Sequence, residues 1–205
     1  MAGGSTKSMP GKFQHVLATL KQHGLLLQTD ARLPNVCALV TGGPVSGSWW
    51  GHAQSHDIFG VNCALAEHPD VLVTKLVSGK ITYVDRALWS ALLAIGRARE
   101  PWQLERLSPD ARSLLAQVDR ADIETDRHLS KPASELESSL LIHSEQFHTS
   151  AGSHSRRLES WKTWLRRSGF MAANMTPESA RDVLEERTDA LNHSFKGRGR
   201  LPWQI

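Results

Sequence analysis

The chain has few cysteines, no long apolar run and little net charge, and the first two of these features each exclude a class of protein. Two cysteines, Cys37 and Cys63, stand among 205 residues, which is typical of buried thiols and excludes a disulfide-rich scaffold. No apolar run approaches the roughly 20 residues that cross a bilayer, and the small, polar N-terminus lacks the apolar stretch of a signal peptide. We therefore expect a cytoplasmic protein with no membrane partner.

The net charge of +3 predicts only a weak overall field, but the charge is unevenly distributed. Residues 1–155 carry 14 Lys and Arg against 15 Asp and Glu, whereas residues 156–205 carry 10 against 6. A basic C-terminal quarter is typical of contact with a polyanion. Nucleic acid, either DNA or RNA, is therefore the first candidate partner.

Apolar spacing and turn residues predict an α+β fold that is mainly α. In chain order the patterns predict a helix over 12–23, a short strand over 25–28, helices over 34–41 and 57–67, and a β-hairpin of 71–77 with 80–84. That order matches a winged helix, with the hairpin as the wing and 57–67 as the reading helix. Further helices are predicted over 86–97 and after Ser108.

The C-terminal part is predicted to be a helical bundle, with helices over 132–148, 153–167 and 177–191. The chain is accordingly divided into four predicted parts with a polar linker before the third. These are a disordered leader (1–11), a winged-helix-like core domain (12–121), a C-terminal helical subdomain (132–191) and a basic tail (192–205).

The segment around Trp49 and Trp50 is the most unusual in the chain. Adjacent side chains diverge in either regular structure, so the two indoles cannot both face one core. An exposed Trp could stack on a base while His52, Gln54 and His56 offer hydrogen bonds. The alternative is that one indole fills an apolar seam between helices and the other covers it.

Three groups of cations are candidate phosphate contacts. Lys75 and Lys80 lie near the tip of the predicted hairpin, Arg156 and Arg157 begin a basic pattern on a predicted amphipathic helix, and Lys196, Arg198 and Arg200 alternate with glycine in the tail. Each group could equally be a solvated surface, and the lysines could protect an exposed strand from aggregation.

Two histidine clusters are candidates for catalysis. His52 and His56 have the i, i+4 spacing of two ligands on one helical face, but Ala53 stands where a metalloprotease has its glutamate. His143, Glu145 and His148 could complete an acid–base or metal-assisted site if the two halves of the chain met. No metal ligand set is assigned, and the cofactor is left unknown.

Several of these segments together resemble a family of bacterial proteins to which no activity has been assigned. The resemblance rests on Ser48-Trp49-Trp50-Gly51-His52, the His68-Pro69-Asp70 turn and the Val77-Ser78-Gly79-Lys80 hairpin. It implies a bacterial, intracellular setting and assigns no functional residue.

The sequence leaves three functional hypotheses. The first is a nucleic-acid-binding protein, with a repair or processing role as one version of it. The second is a small His-dependent or metal-assisted hydrolytic enzyme. The third is a protein–protein adaptor that uses its Trp-rich surfaces. Whether the protein is an enzyme, and its oligomeric state, are left open.

Overall fold

A computed structural model describes residues 9–125, 129–148 and 154–205, with the side chains of residues 146–148 and 154–155 outside that description. The fold is α+β and mainly helical, as predicted. The helices are α1 (Met9–His23), α2 (Val36–Thr41), α3 (Ser55–Ala66), α4 (Trp89–Ala98), α5 (Pro101–Leu104), α6 (Pro109–Val118), α7 (Ser130–Ser138), α8 (Trp161–Ser168) and α9 (Pro177–Phe195). The strands are β1 (Leu25–Leu27), β2 (Val71–Lys75), β3 (Ile81–Asp85), β4 (Ile123–Thr125), β5 (Ile142–His148) and β6 (His154–Ser160).

Residues 9–85 follow the predicted order of helix, strand, helix, helix and hairpin. β2 and β3 pair antiparallel, and β1 joins the far side of β3, so the strand order is β1-β3-β2. The strands are apolar because both faces of this sheet are covered. Leu26 and Tyr83 pack with α1, α2 and α3, whereas Leu25 and Val84 face the second half of the chain.

Side-chain caps are present at three places where helical structure begins. The Asp85 carboxylate accepts from the Ala87 amide in the 3-10 turn that leads into α4, the Ser108 hydroxyl accepts from the Ala111 amide, and the Thr176 hydroxyl accepts from the Ser179 amide. Pro109 and Pro177 each occupy the first turn of the helix that follows, where no amide hydrogen is needed. These ends are local features, which is why the sequence predicts them well.

The prediction of long C-terminal helices over 132–148 and 153–167 is wrong over half of each. Helix α7 ends at Ser138, and residues 142–148 and 154–160 form the β5–β6 hairpin before α8 begins at Trp161. β6 is a central strand, paired with β5 on one side and with β4 on the other. β4 lies inside the stretch predicted to be a linker.

The two sheets share one connectivity. In each, the last two strands form a hairpin and the first strand pairs with the last, which makes the orders β1-β3-β2 and β4-β6-β5. In each, helices precede the first strand or lie between it and the hairpin. The second half of the chain therefore repeats in part the arrangement of the first.

Among the described residues three apolar clusters form the core, and the largest joins both halves. It combines one face of the first sheet with α4, α8, α9 and the C-terminal segment, through side chains such as Leu72, Leu92, Trp161, Leu184 and Leu201. A second cluster lies among α1, α2 and α3, and a third among α6, α7 and the second sheet. Residues on both sides of the predicted linker therefore share one core.

The chain ends also differ from prediction. Helix α1 begins at Met9, so residues 9–11 are not part of a leader, while residues 1–8 lie outside the described residues. At the other end α9 continues to Phe195, and the tail that follows packs with a fully buried Leu201. Within the described part of the chain, no helix has both the length and the apolar character needed to span a membrane.

Candidate nucleic-acid interface

The C-terminal segment lies on the tip of the β2–β3 hairpin. The Ser78 amide donates to the Arg200 carbonyl at 2.7 Å, and the Arg200 amide donates to the Ser78 hydroxyl at 3.2 Å. The Asn192 side chain holds the turn after α9, because its amide group donates to the Gly199 carbonyl and its oxygen accepts from the Gly199 amide. The tail is thus docked by its backbone, which leaves its cationic side chains free to face solvent.

An alternation of glycine and cation explains this docking. Gly199 is buried between Leu33 and Val77, and an added Cβ there would lie 2.8 Å from the Val77 Cγ1 atom. Gly197 is similarly close to Leu33. Lys196, Arg198 and Arg200 occupy the alternate positions and are exposed. The glycines therefore allow the tail to lie close to Leu33 and Val77, while the cations at the alternate positions stay exposed.

Asp30 organises the loop beside the hairpin tip. Its carboxylate accepts from the amides of Arg32 and Leu33, both at 2.8 Å, and from the Lys80 ammonium at 2.6 Å. Burial alone would raise the pKa of this carboxyl, but the hydrogen bonds from Lys80 and the two amides outweigh it and lower the pKa. Asp30 is therefore ionised at neutral pH and fixes Lys80 in place.

Five cations from three separated segments meet at this tip. Arg32 donates to the Lys196 carbonyl at 3.1 Å, and Arg32, Lys80 and Arg198 line one cavity of about 280 Å³ together with Ser78 and Asp30. We call Arg32, Lys80, Lys196, Arg198 and Arg200 the hairpin-tip cluster. Among the residues that line this cavity, Asp30 is the one carboxylate against three cations, so positive charge is in excess there. Four members were predicted from sequence; Arg32 was missed because nothing local marks its loop as close to the tail.

The other predicted phosphate contacts are engaged inside the protein. Lys75 and Arg156 both bind the buried Glu137 carboxylate, at 2.8 Å and 3.2 Å, and Lys75 also donates to the Ser134 hydroxyl. Arg157 lies on strand β6, opposite Glu124 and Glu145 in the sheet register. Arg156 and Arg157 are thus strand residues and do not belong to the predicted basic helix. Lys75 and Arg156 are each only 26% exposed and are tied to a buried carboxylate, so they are poorly placed for an external phosphate, whereas Lys80 is 44% exposed.

The indole pair lies at the surface, apart from this cluster. Trp50 is 62% exposed and stacks on Trp49 with ring centroids 4.0 Å apart, and its ring lies 5.8 Å from that of Phe59. Trp49 packs against the core among α1, α2 and α3. As predicted, the two indoles do not share one core. We call Trp49, Trp50 and Phe59 the aromatic patch.

The residues predicted beside the indoles do not extend the patch into a basic surface. The backbone amide of Gln54 donates to His52 Nδ1 at 3.1 Å, so that ring nitrogen acts as an acceptor. His56 is exposed on α3. Helix α3 contains Asp57 but no Lys or Arg. The Asp57 carboxylate is bound by Lys12 at 2.6 Å. A helix of this composition offers little attraction to phosphate.

The described residues do not bring the two histidine clusters together. His143 is buried on β5, where Nδ1 contacts the Glu159 carboxylate at 3.0 Å and its ring lies near those of Trp161 and Trp164. Glu145 contacts Arg167 instead, and the side chain of His148 lies outside the described residues. Within that description, no group of three or more His, Cys, Asp or Glu residues could hold a metal ion.

Glu159 is the centre of a buried charged network. Its carboxylate is fully buried and accepts from His143 and from two nitrogens of Arg167, at 2.6 Å and 3.2 Å. Burial would raise the pKa of this carboxyl, but the hydrogen bonds from His143 and Arg167 lower it to about 2. The same carboxylate raises the pKa of Arg167. Because its oxygens are all occupied by protein donors, this network ties α8 to the second sheet.

Comparisons with known protein families, with curated protein sequences and with solved structures return no match to this chain. The geometry of its own surface is therefore the basis for a functional proposal.

Proposed function

We propose that this protein binds nucleic acid through the hairpin-tip cluster. The observation that carries the proposal is the convergence of Arg32, Lys80 and the alternating cations of the tail at the tip of the β2–β3 hairpin. Exposed cations held on a rigid backbone can contact successive phosphates, and each contact releases counterions. A docked tail also loses less conformational entropy on binding than a free one.

The arrangement of residues 9–85 supports a winged-helix interpretation of this unit. Its element order and its β1-β3-β2 sheet agree with that fold, and the β2–β3 hairpin would be the wing. In this proposal the wing, extended by the tail, contacts the phosphates. Helix α3, which lacks Lys and Arg, contributes little to the binding energy. The aromatic patch is left outside the interface because no described contact connects it with the cluster.

The experiment is a salt-titrated binding assay with labelled DNA and RNA on two matched triple variants. Lys196→Ala, Arg198→Ala and Arg200→Ala together remove three cations of the cluster. Arg120→Ala, Lys131→Ala and Lys162→Ala together remove three exposed cations from elsewhere and leave the same net charge. We expect the cluster variant to flatten the log–log salt slope on duplex DNA by up to about 2.7, at roughly 0.9 per phosphate contact.

The control triple should leave both affinity and slope close to those of the unmodified protein. Equal losses in the two triple variants would mean that only net charge matters, and would contradict the proposed interface. No binding to any nucleic acid at low salt would contradict the function itself.

A further inference from the structure

A second, larger cavity lies beside the basic cavity of the hairpin-tip cluster. It has a volume of about 440 Å³ and shares the loop of residues 30–33 with the basic cavity. Its remaining walls come from the exposed side of α1, from α2 and its two flanks and from the end of α9. The two cavities are therefore neighbours across one shared loop, and we call them together the loop-30 groove.

The chemistry of the groove changes along its length. Arg32, Lys80 and Arg198 line the basic cavity, and Arg32 also lines the larger one. The apolar walls of the larger cavity are Pro34, Leu39, Pro44 and Phe195, and His15, Thr19 and Asn35 line it as well. Asp30 is the one carboxylate among the residues that line either cavity, and it is already bound by Lys80 and two amides. The groove thus offers cations at one end and apolar, partly aromatic surface at the other.

We propose that the loop-30 groove binds single-stranded nucleic acid, with a phosphate held by Arg32, Lys80 and Arg198 and the adjoining unpaired base against Phe195 and Leu39. This inference rests on the proposed function and specifies its substrate. A base in a duplex is stacked and paired, so it cannot enter a groove without being extruded. Cations beside an aromatic surface are the combination that single-strand binding uses.

The test measures the affinity of one single strand, in DNA and RNA forms, against a blunt duplex of the same length and at the same salt concentration. A variant, Gly43→Leu, partly fills the groove with an aliphatic side chain that cannot stack. Gly43 is suited to this because an added Cβ meets no atom within 4 Å. The matched control is Gly51→Leu, which has the same open surroundings and lies outside both cavities. A second variant, Phe195→Leu, removes the ring and keeps an apolar side chain.

We expect the single strand to bind more tightly than the duplex. Gly43→Leu and Phe195→Leu should each weaken single-strand binding by roughly tenfold, the loss expected for one stacked base. Duplex binding should stay unchanged in both, and Gly51→Leu should match the unmodified protein. Thermal melting of each variant checks that the fold is kept.

The outcomes separate this inference from the function on which it rests. If the cluster triple variant loses binding while duplex and single strand bind alike, the basic interface stands and the groove assignment is overturned. The assignment also fails if Gly43→Leu and Gly51→Leu behave alike. A polyglutamate peptide is used as a competitor at equal total charge. If it competes as strongly as the single strand does, the groove binds anionic polymers without contacting a base, and the groove assignment is overturned.

Discussion

At the scale of single residues, buried charge is placed where two elements must be joined. Glu137 binds Lys75 of the first sheet and Arg156 of the second, and Glu159 binds His143 and Arg167. A buried carboxylate is tolerated only when its oxygens are paired, and removal of the partner leaves an uncompensated charge. These residues therefore act in the fold and not in the proposed interface.

Glu159→Gln is expected to destabilise the protein by about 2 kcal/mol at neutral pH. Breaking a buried ion pair costs roughly 3–5 kcal/mol, and the loss is smaller here because the Arg167 side chain is 42% exposed and can be hydrated. Urea denaturation measures the change. Glu145→Gln is the matched control, because this 45% exposed carboxylate contacts the same Arg167 and should cost about 0.5 kcal/mol or less.

The same comparison has a definite pH dependence. Because the pKa of Glu159 is depressed from 4.5 to about 2 in the folded protein, its contribution is complete above 4.5 and is lost as the pH falls from 4.5 towards 2. The stability difference between the unmodified protein and Glu159→Gln should shrink through that window. A difference that stays constant across it would contradict the assigned network.

At the scale of elements, the end of α7 shows why the second hairpin escaped prediction. Leu140 follows the helix with φ of +53° and is fully buried, and its carbonyl accepts from the Trp161 indole at 2.7 Å. A left-handed residue at a helix end is usually glycine, so a leucine there gives no local sign that the helix stops. Residues 142–148 and 154–160 become strands through pairing with each other, an interaction that helix periodicity does not detect.

The docking of the tail on the β2–β3 hairpin leads to a prediction at the same scale. Gly199→Ala should place a Cβ 2.8 Å from Val77 Cγ1 and 3.0 Å from Leu33 Cδ1, so the tail must shift or leave the hairpin. We expect a loss of about 1–3 kcal/mol, typical of overpacking, and weaker nucleic-acid binding although no charge has changed. Chemical denaturation and fluorescence anisotropy measure the two effects.

The matched control is Gly51→Ala, because the added methyl group meets no neighbour within 4 Å and Gly51 lines neither cavity. Gly51→Ala should be nearly neutral in stability and in binding. If Gly199→Ala is equally neutral in both assays, the cations do not depend on the docked backbone.

At the scale of the whole molecule, the largest apolar cluster makes the two halves interdependent. The first sheet buries one face against α1, α2 and α3 and the other against α4, α8 and α9, so separation of the halves would expose Leu25, Leu72 and Val84. Exposure of that much apolar surface is costly. The predicted parts 12–121 and 132–191 are therefore held together by one shared core.

We expect the full chain to unfold in a single cooperative transition. Intrinsic fluorescence reports on all seven tryptophans, of which Trp89, Trp161 and Trp164 are buried in the shared core, while far-ultraviolet circular dichroism reports on all helices and strands. The two denaturation curves should coincide. Two separated transitions, with fluorescence changing in one of them, would show that the halves fold independently.

The sequence by itself determined the first sheet and most helix starts, and it named four of the five cations of the hairpin-tip cluster as separate candidates. Each of these is marked locally, by alternating or helical apolar spacing, by a capping side chain or by the Gly and Arg alternation of the tail. The surface position of one indole also follows from local geometry, since neighbouring side chains diverge.

Only the tertiary structure decided which of the candidate residues meet. It brought Arg32 and Lys80 to the tail, engaged Lys75 and Arg156 with Glu137, and paired His143 with Glu159. These contacts join residues far apart in the chain, through backbone hydrogen bonds and buried ion pairs that do not depend on sequence spacing. The partners of a charged residue are set by packing, and packing is a property of the whole core.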